Sequence, residues 1–316
     1  MQAIERASKV RGERIVRWIG DDAAVVRSRP FAVTSIDSIA EGVHFELSTH
    51  SPADVGWKAL AQALSDLAAM GAGPGEVYVS LTLPGWFDRE AVLELVGGMD
   101  QLAAASEMTL AGGDLIAASA LVVTVSVTGW AEGEDRLVGR DGARPDQLVG
   151  VTGTLGASAA GLLLLRGAGA GTLQEEVLVR RHRRPEPRLA AGRALAAAGA
   201  SAMIDLSDGL ATDAGHVARL SATELRLELA ELPIAAGVAE VAQAAGMEAS
   251  ALAATGGDDY ELLVTFANER RDAAEEAAAR AGAPLTWVGG TRAGSGVALL
   301  DPGGAVRTGL SGFDHL

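Results

Sequence analysis

Six aspartates raise the question of chemistry: Asp22, Asp37, Asp66, Asp114, Asp205 and Asp208. Most stand beside glycine or serine, and five follow short apolar runs of the kind that become strands, so their loops gather at one sheet edge. Asp66 differs, because it falls inside a helical pattern. There Lys58, Gln62 and Asp66 are spaced i, i+4, i+8, one polar stripe on an Ala/Leu helix. Carboxylates brought within about 4–6 Å of one another cannot all ionise without a cation. Hard oxygen ligands without cysteine or paired histidine select Mg²⁺, Mn²⁺ or Ca²⁺ over zinc, and Mg²⁺ commonly shares its shell with substrate phosphates. The set therefore points to metal-assisted phosphate chemistry. A single aspartate reads first as a turn former or helix cap, and the stripe reads equally as a solvated helix face. The inference rests on the six together.

Other routes to chemistry are closed by composition. The 316 residues carry 26 Lys+Arg against 41 Asp+Glu, a net charge of −15, which makes a nucleic-acid backbone a poor partner. The absence of cysteine excludes disulfides, thiolate zinc sites and thiol catalysis, and it suits a cytoplasmic protein. Lys9 and Lys58 are the only lysines and neither ends a glycine-rich loop, so a Walker-type phosphate cradle is excluded. The five histidines show no metal-ligand spacing. The longest apolar run, 155–165, is shorter than the roughly 20 residues that span a bilayer, and residues 1–10 read as an ordinary helix. The expectation is a soluble protein with no membrane or nucleic-acid partner.

Three further segments have two readings each. Gly112-Gly113 before Asp114 either lets a phosphate approach the backbone or makes a tight turn. Gly153 to Gly156 opens a helix whose N-terminus suits an anion, or simply starts that helix as a structural turn. The run from Arg180 to Arg188 reads as a solvated linker, with phosphate recognition as its alternative.

The elements that must position these residues follow from periodicity. Leu60, Leu64 and Leu67 fall at i, i+4, i+7 and predict a helix over 52–70, stopped by the glycines from Gly71. A second helix is expected over 87–106. Strands are expected at 31–37, 77–83, 108–110 and 121–128, then at 147–152, 202–206, 225–229, 262–266 and 297–300. Helices follow Gly153 and Ser207, and Asp301 to Gly304 turns a hairpin. Polar residues 132–145 make the best boundary, giving domains 1–135 and 136–316 and an α/β (α+β) class. G-G-D at Gly112 and Gly256, and S-D at Ser65 and Ser207, hint at an ancient duplication.

Eight motifs in order carry a resemblance. They are Gly20-Asp-Asp-Ala-Ala24, Ile36-Asp-Ser-Ile-Ala-Glu-Gly-Val-His-Phe45, Leu64-Ser-Asp-Leu-Ala-Ala-Met-Gly71, Gly112-Gly-Asp114, Val151-Thr-Gly-Thr154, Ile204-Asp-Leu-Ser-Asp-Gly-Leu210, Gly256-Gly-Asp-Asp-Tyr-Glu-Leu262 and Gly312-Phe-Asp-His315. Together they closely resemble the thiamine-monophosphate kinase family, from about residue 15 to the C-terminus.

The resemblance implies the two-domain fold shared with aminoimidazole ribonucleotide synthetase, with an N-terminal ATP, Mg²⁺ and dimerisation domain and a C-terminal α/β domain. It implies a homodimer whose N-terminal sheets meet, and transfer of the ATP γ-phosphoryl group to thiamine monophosphate with several Mg²⁺ ions. By position, Asp22, Ser35, Asp37, Asp66, Asp114, Asp205 and Asp208 would be metal ligands, with Asp37, Asp66 and Asp114 nearest the transferred group. Gly113, Arg140 and Ser207 match nucleotide positions; His44, Asp258 and Phe313 match positions that hold thiamine. Four departures bear on this. Ile36 replaces a threonine that supports a metal, Asp258 replaces a glutamate, and Phe313 replaces a tyrosine. Leu115-Ile-Ala-Ala118 stands for a more usual Thr-Thr-Arg.

Overall fold

The computed structural model describes residues 4, 8–19, 22–169 and 171–313. The helix expected over residues 1–10 rests mostly on residues outside that set. So do Gly20 and Asp21 of the first motif and Asp314 and His315 of the last.

The chain divides into two units, one of residues up to 67 with 72–134, the other of 68–71 with residues from 135 onward. In the first unit β1 (Ile15–Arg17) pairs with β2 (Val25–Val26), and a four-stranded sheet follows. Its strands are β3 (Phe31–Ala40), β4 (Gly73–Leu83), β5 (Thr109–Ala117) and β6 (Val122–Ala131), in the order β3-β6-β4-β5. All pairs are antiparallel except β4 with β5.

Helices α1 (Pro52–Ala69) and α2 (Arg89–Ala105) accompany that sheet. Each start is capped as its sequence dictates. Ser51 Oγ accepts from the Asp54 amide while the Asp54 carboxylate accepts from the Ser51 amide, both at 3.2 Å, with Pro52 as first helical residue. The Asp88 side chain accepts from the Ala91 amide at 2.9 Å. Leu60, Leu64 and Leu67 are fully buried, as the 3.6-residue period requires.

Alternation along β3 then decides the site. Val33, Ser35, Asp37 and Ile39 share the more buried face, whereas Thr34, Ile36 and Ser38 stand exposed on the other. On β6, Val123, Val125 and Val127 are buried and alternate with the half-buried Thr124, Ser126 and Thr128. The sheet is thus apolar on one face and hydroxyl-rich on the other.

The second unit carries a seven-stranded sheet. Its strands are β7 (Leu148–Thr152), β8 (Ala202–Asp205), β9 (Thr223–Glu228), β10 (Leu262–Phe266), β11 (Leu285–Ala293), β12 (Gly296–Leu300) and β13 (Val306–Arg307). The order is β13-β12-β9-β11-β7-β10-β8, and only β12 with β9 is parallel. Helices α3 (Ala157–Leu165), α4 (Glu175–Arg183), α5 (Leu189–Ala198), α6 (Leu210–Ser221), α7 (Val238–Ala244), α8 (Ala249–Thr255) and α9 (Arg271–Arg280) complete it. Val149, Val151, Ile204, Leu225 and Leu263 meet Val217 of α6 in one core.

Two segments differ from the sequence reading. Gly112 to Asp114 is not a turn: it lies inside β5, paired with Tyr78 to Ser80. The first four residues of the Arg180–Arg188 run, up to Arg183, are the end of α4, and only the rest is a connecting segment. Arg180, Arg181 and Arg183 lie in the last turn of α4, near the helix C-terminus, where positive charge is favoured.

Candidate functional site

In the first unit, Ser35, Asp37, Gln62 and Asp66 converge. β3 presents Ser35 and Asp37 on one face, and α1 presents Gln62 and Asp66 one turn apart. The Ser35 hydroxyl donates to Asp66 Oδ2, and Gln62 Nε2 donates to Asp37 Oδ1 at 3.3 Å. Burial first, then the adjacent Asp66 carboxylate, push Asp37 up to about 6. Asp37 Oδ2 is enclosed and takes no hydrogen bond from the described residues. Two interacting carboxylates, a hydroxyl and an unsatisfied enclosed oxygen suit a hard divalent cation. The helical stripe is therefore no solvated face, since Lys58 is 1% exposed.

Ile36 stands on the opposite face of β3, 67% exposed. A threonine side chain there would point away from Asp37 and Asp66, so this departure removes nothing from the group.

Asp114 does not join it. It lies on β5, with β6 and β4 between that strand and β3. At about 4.8 Å per strand the backbones stand roughly 14 Å apart. Gly113 beside it has a packing reason for lacking a side chain: a Cβ there would lie 2.2 Å from the Val79 carbonyl oxygen. Asp22 is exposed in the segment before β2. His44 sits in the turn after β3, where its Nδ1 accepts from the Ala40 amide at 3.2 Å.

In the second unit Asp205 ends β8, and the turn from there to α6 holds Ser207 and Asp208. Asp205 is 4% exposed, and the other two are half-buried. One residue the sequence reading passed over organises this turn. Asp213, on the first turn of α6, accepts from the Asp208 and Gly209 amides, each at 3.1 Å. Burial, then the charges of Asp205 and Asp208, push Asp213 up to about 8. His216 lies with it: ligand atoms of Asp208, Asp213 and His216 all fall within 4.8 Å of one another. One histidine, His216, thus stands i, i+3 from Asp213 on one helix face, a proximity that spacing among the histidines themselves does not show.

Two other segments hang on the same turn. The Asp258 amide donates to the Ser207 carbonyl at 2.8 Å, and the Phe313 amide donates to the Asp208 carbonyl at 2.9 Å. Phe313 is 56% exposed. Arg140 is half-buried in the loop before β7, and its carbonyl accepts from Ser221 Oγ at 2.8 Å.

Behind Asp258 the chain supplies its own ions. The α3 N-terminus is taken by Asp259, whose Oδ2 accepts from the Gly156 amide at 2.8 Å. The anion that this helix suits is therefore an internal carboxylate, not a phosphate. Fully buried Glu261 binds Arg188 through Nε at 2.8 Å and Nη2 at 2.5 Å, Arg181 at 3.1 Å and Thr152 at 2.8 Å. Arg181 and Arg188 serve that carboxylate, which neither reading of the basic run foresaw.

Burial above all pushes Asp259 up to about 7, with Glu261 adding to it against the Gly156 amide. Between an unfolded value of 3.8 and about 7 the folded chain keeps a proton that the unfolded chain has released. Stability is then highest at the acid end of that window and falls as pH rises, by at most about 1.4 kcal/mol per unit. Asp259→Asn, which can still accept from Gly156, should lose this slope. Urea unfolding of both proteins from about pH 4.5 to pH 7.5 measures it, and parallel stability curves would refute it.

Comparison with known proteins joins these groups to a family. The model of the AIR synthase related protein N-terminal domain matches residues 20–131. Thiamine-monophosphate kinase of Escherichia coli is 36% identical over 308 residues, 94% of this chain and 91% of that one. The chain belongs to the thiamine-monophosphate kinase family. The crystal structure of the Stenotrophomonas maltophilia member superposes with a TM-score of 0.86 at 34% identity, covering 97% of this chain and 96% of that one. The structure of AaThiL complexed with AMPPCP and TMP gives 0.80 at 30% identity, covering 96% and 90%. The two-unit α/β architecture is that of these family members, and the chain shares it over nearly its full length. Among the described residues no helix is long and apolar enough to cross a membrane.

Proposed function

We infer that this chain transfers the γ-phosphoryl group of ATP to thiamine monophosphate, giving thiamine diphosphate and ADP. Family membership over 94% of the chain carries the reading, supported by the AaThiL relative that holds AMPPCP and TMP. The acceptor oxygen of thiamine monophosphate is already anionic. Direct in-line attack on the γ-phosphorus, with ADP leaving, therefore needs no strong general base and no phosphoenzyme.

Mg²⁺ ions would be held by Ser35, Asp37 and Asp66 in the first unit and by Asp205 and Asp208 in the second. Asp22 and Asp114 would be further ligands, Asp114 serving a different ion from Asp37. When bound, such ions screen the repulsion between the two anionic phosphates and hold them in line. The protein's part is positioning. Gln62 fixes one oxygen of Asp37, Ser35 orients Asp66, and Asp213 holds the turn that carries Ser207 and Asp208. Gly113, Arg140 and Ser207 would contact nucleotide, and His44, Asp258 and Phe313 would hold the thiamine moiety. The working place is the cytoplasm.

The test is ADP release from ATP and Mg²⁺ with and without thiamine monophosphate. The kinase makes ADP only with the acceptor. ADP without it would mark a Mg²⁺-dependent phosphohydrolase, and ADP only with another acceptor would mark a kinase of different substrate. No ADP under any of these conditions would sink the enzymatic reading.

The working form is a homodimer meeting through the open sheet face of the first unit. Ile36 and Ile116, 67% and 49% exposed, stand there among hydroxyl side chains, and their apolar surface gains by burial against a second copy. Sedimentation equilibrium should give a dimer for the wild type and a monomer for Ile36→Asp. A monomeric wild type, or a dimeric variant, would remove this interface.

A further inference from the structure

We propose that Tyr260 is a positioning residue that sets affinity for the phosphoryl acceptor by fixing the carboxylate of Asp258. This rests on the reading that Asp258 holds the thiamine moiety.

Tyr260 is 1% exposed, the largest fully buried side chain among the described residues. Its hydroxyl donates to Asp258 Oδ1 at 2.9 Å. The segment between them is held in a backbone shape that side chains rarely adopt. Asp258 has φ +64° and Tyr260 φ +50°, two non-glycine residues in the left-handed region within three positions. Such a shape persists only where the surroundings impose it, and here they do. The Asp258 amide is tied to the Ser207 carbonyl and the Tyr260 amide to the Leu206 carbonyl at 2.9 Å. Between them Asp259 is anchored on the α3 N-terminus, and Glu261 follows, locked by Arg188. The strained turn thus brings the carboxylate of residue 258 and the hydroxyl of residue 260 to the same side.

The need for this arises from the residue at 258. The family resemblance implies glutamate there, and aspartate is one methylene shorter. A shorter arm reaches less far and depends more on where its backbone and rotamer place it. A rigid buried ring supplies that placement, and its hydroxyl loses little freedom on bonding because packing has already fixed the ring. The thiamine moiety offers an amino donor and a fixed positive charge, and an oriented carboxylate answers both. Were Tyr260 merely a core aromatic, its hydroxyl would matter to stability and not to ligand.

The experiment is a double-mutant cycle with Tyr260→Phe and Asp258→Ala, read by calorimetric binding of thiamine monophosphate and by steady-state kinetics. Tyr260→Phe should weaken thiamine monophosphate binding and raise its KM by about tenfold, the loss of one hydrogen bond to a charged group. KM for ATP, and kcat at saturating acceptor, should stay within about twofold. In the Asp258→Ala background, Tyr260→Phe should have no further effect, because the group it positions is gone. Binding of the acceptor by Tyr260→Phe as tight as wild type would overturn the proposal. So would an undiminished loss in the Asp258→Ala background, or an equal rise in KM for ATP. If the wild-type chain does not bind thiamine monophosphate, the functional reading fails and this inference with it; wild-type binding unchanged by the substitution defeats this inference alone.

Discussion

Replacing Asp66 by asparagine should lower turnover on the order of a thousandfold, as the loss of one preorganised charge at a phosphoryl-transfer centre does. The substitution is nearly isosteric. An asparagine Oδ1 can still accept from Ser35, so β3 and α1 keep their junction. What changes is charge: Asp37 loses the carboxylate beside it and would have to hold a cation without a second anionic ligand. The apo fold should not suffer, since Asp66 is one of the groups that makes charging Asp37 unfavourable. Thermal unfolding of the metal-free variant should therefore match or exceed that of the wild type. Titration with Mn²⁺, followed by its paramagnetic resonance, should show weaker binding independently of activity. Near-normal turnover would remove Asp66 from the site.

Glu261→Ala should have the largest effect on stability. The carboxylate is fully buried and accepts from Arg188, Arg181 and Thr152, while the two arginine side chains are only 17% and 16% exposed. Removing one partner of a buried pair leaves the other charges desolvated and uncompensated, at a cost of about 3 kcal/mol. For a unit of this size that is a fall in unfolding midpoint of roughly 10 °C. Glu261→Gln, which keeps the volume and can accept some of the bonds, should lose less. The space is specific to this side chain. Gly153 lies against it with φ +58°, and a Cβ there would stand 2.1 Å from Glu261 Oε1. A midpoint within a few degrees of wild type, measured by calorimetry, would show that water solvates the arginines.

Much of this arrangement was legible in the residues. The α1 pattern named Leu60, Leu64 and Leu67 as core and put Lys58, Gln62 and Asp66 on one stripe, and the structure places all six on that helix. Helix periodicity is local, so the face follows from the spacing once the helix forms. The strands at 202–206 and 262–266 were readable for the same reason, as short apolar runs closed by turn residues. The apparent repeats were less informative. Ser65-Asp66 lies within a helix and Ser207-Asp208 in a turn, while Gly112 to Asp114 is strand and Gly256 to Asp258 is loop. A three-residue motif does not specify its surroundings.

The sequence alone determined the class of chemistry. With 41 acidic residues, two lysines outside any glycine-rich loop and no cysteine, a Walker-type cradle was closed and metal held by oxygen became the leading route to phosphate. Ordered motifs carried the family. Tertiary structure decided which charges do which work. Asp37 meets Asp66 because β3 turns its odd-numbered side chains toward α1, whereas Asp114 is set apart by the strand order β3-β6-β4-β5. Asp259 and Glu261, two and four residues beyond Gly257, became a helix cap and an ion-pair centre only because β10 lies beside β7 and β8. Pairing of distant strands is a non-local event, and a carboxylate carries no mark of the partner it will meet. The six aspartates announced a site, and the sheets sorted them.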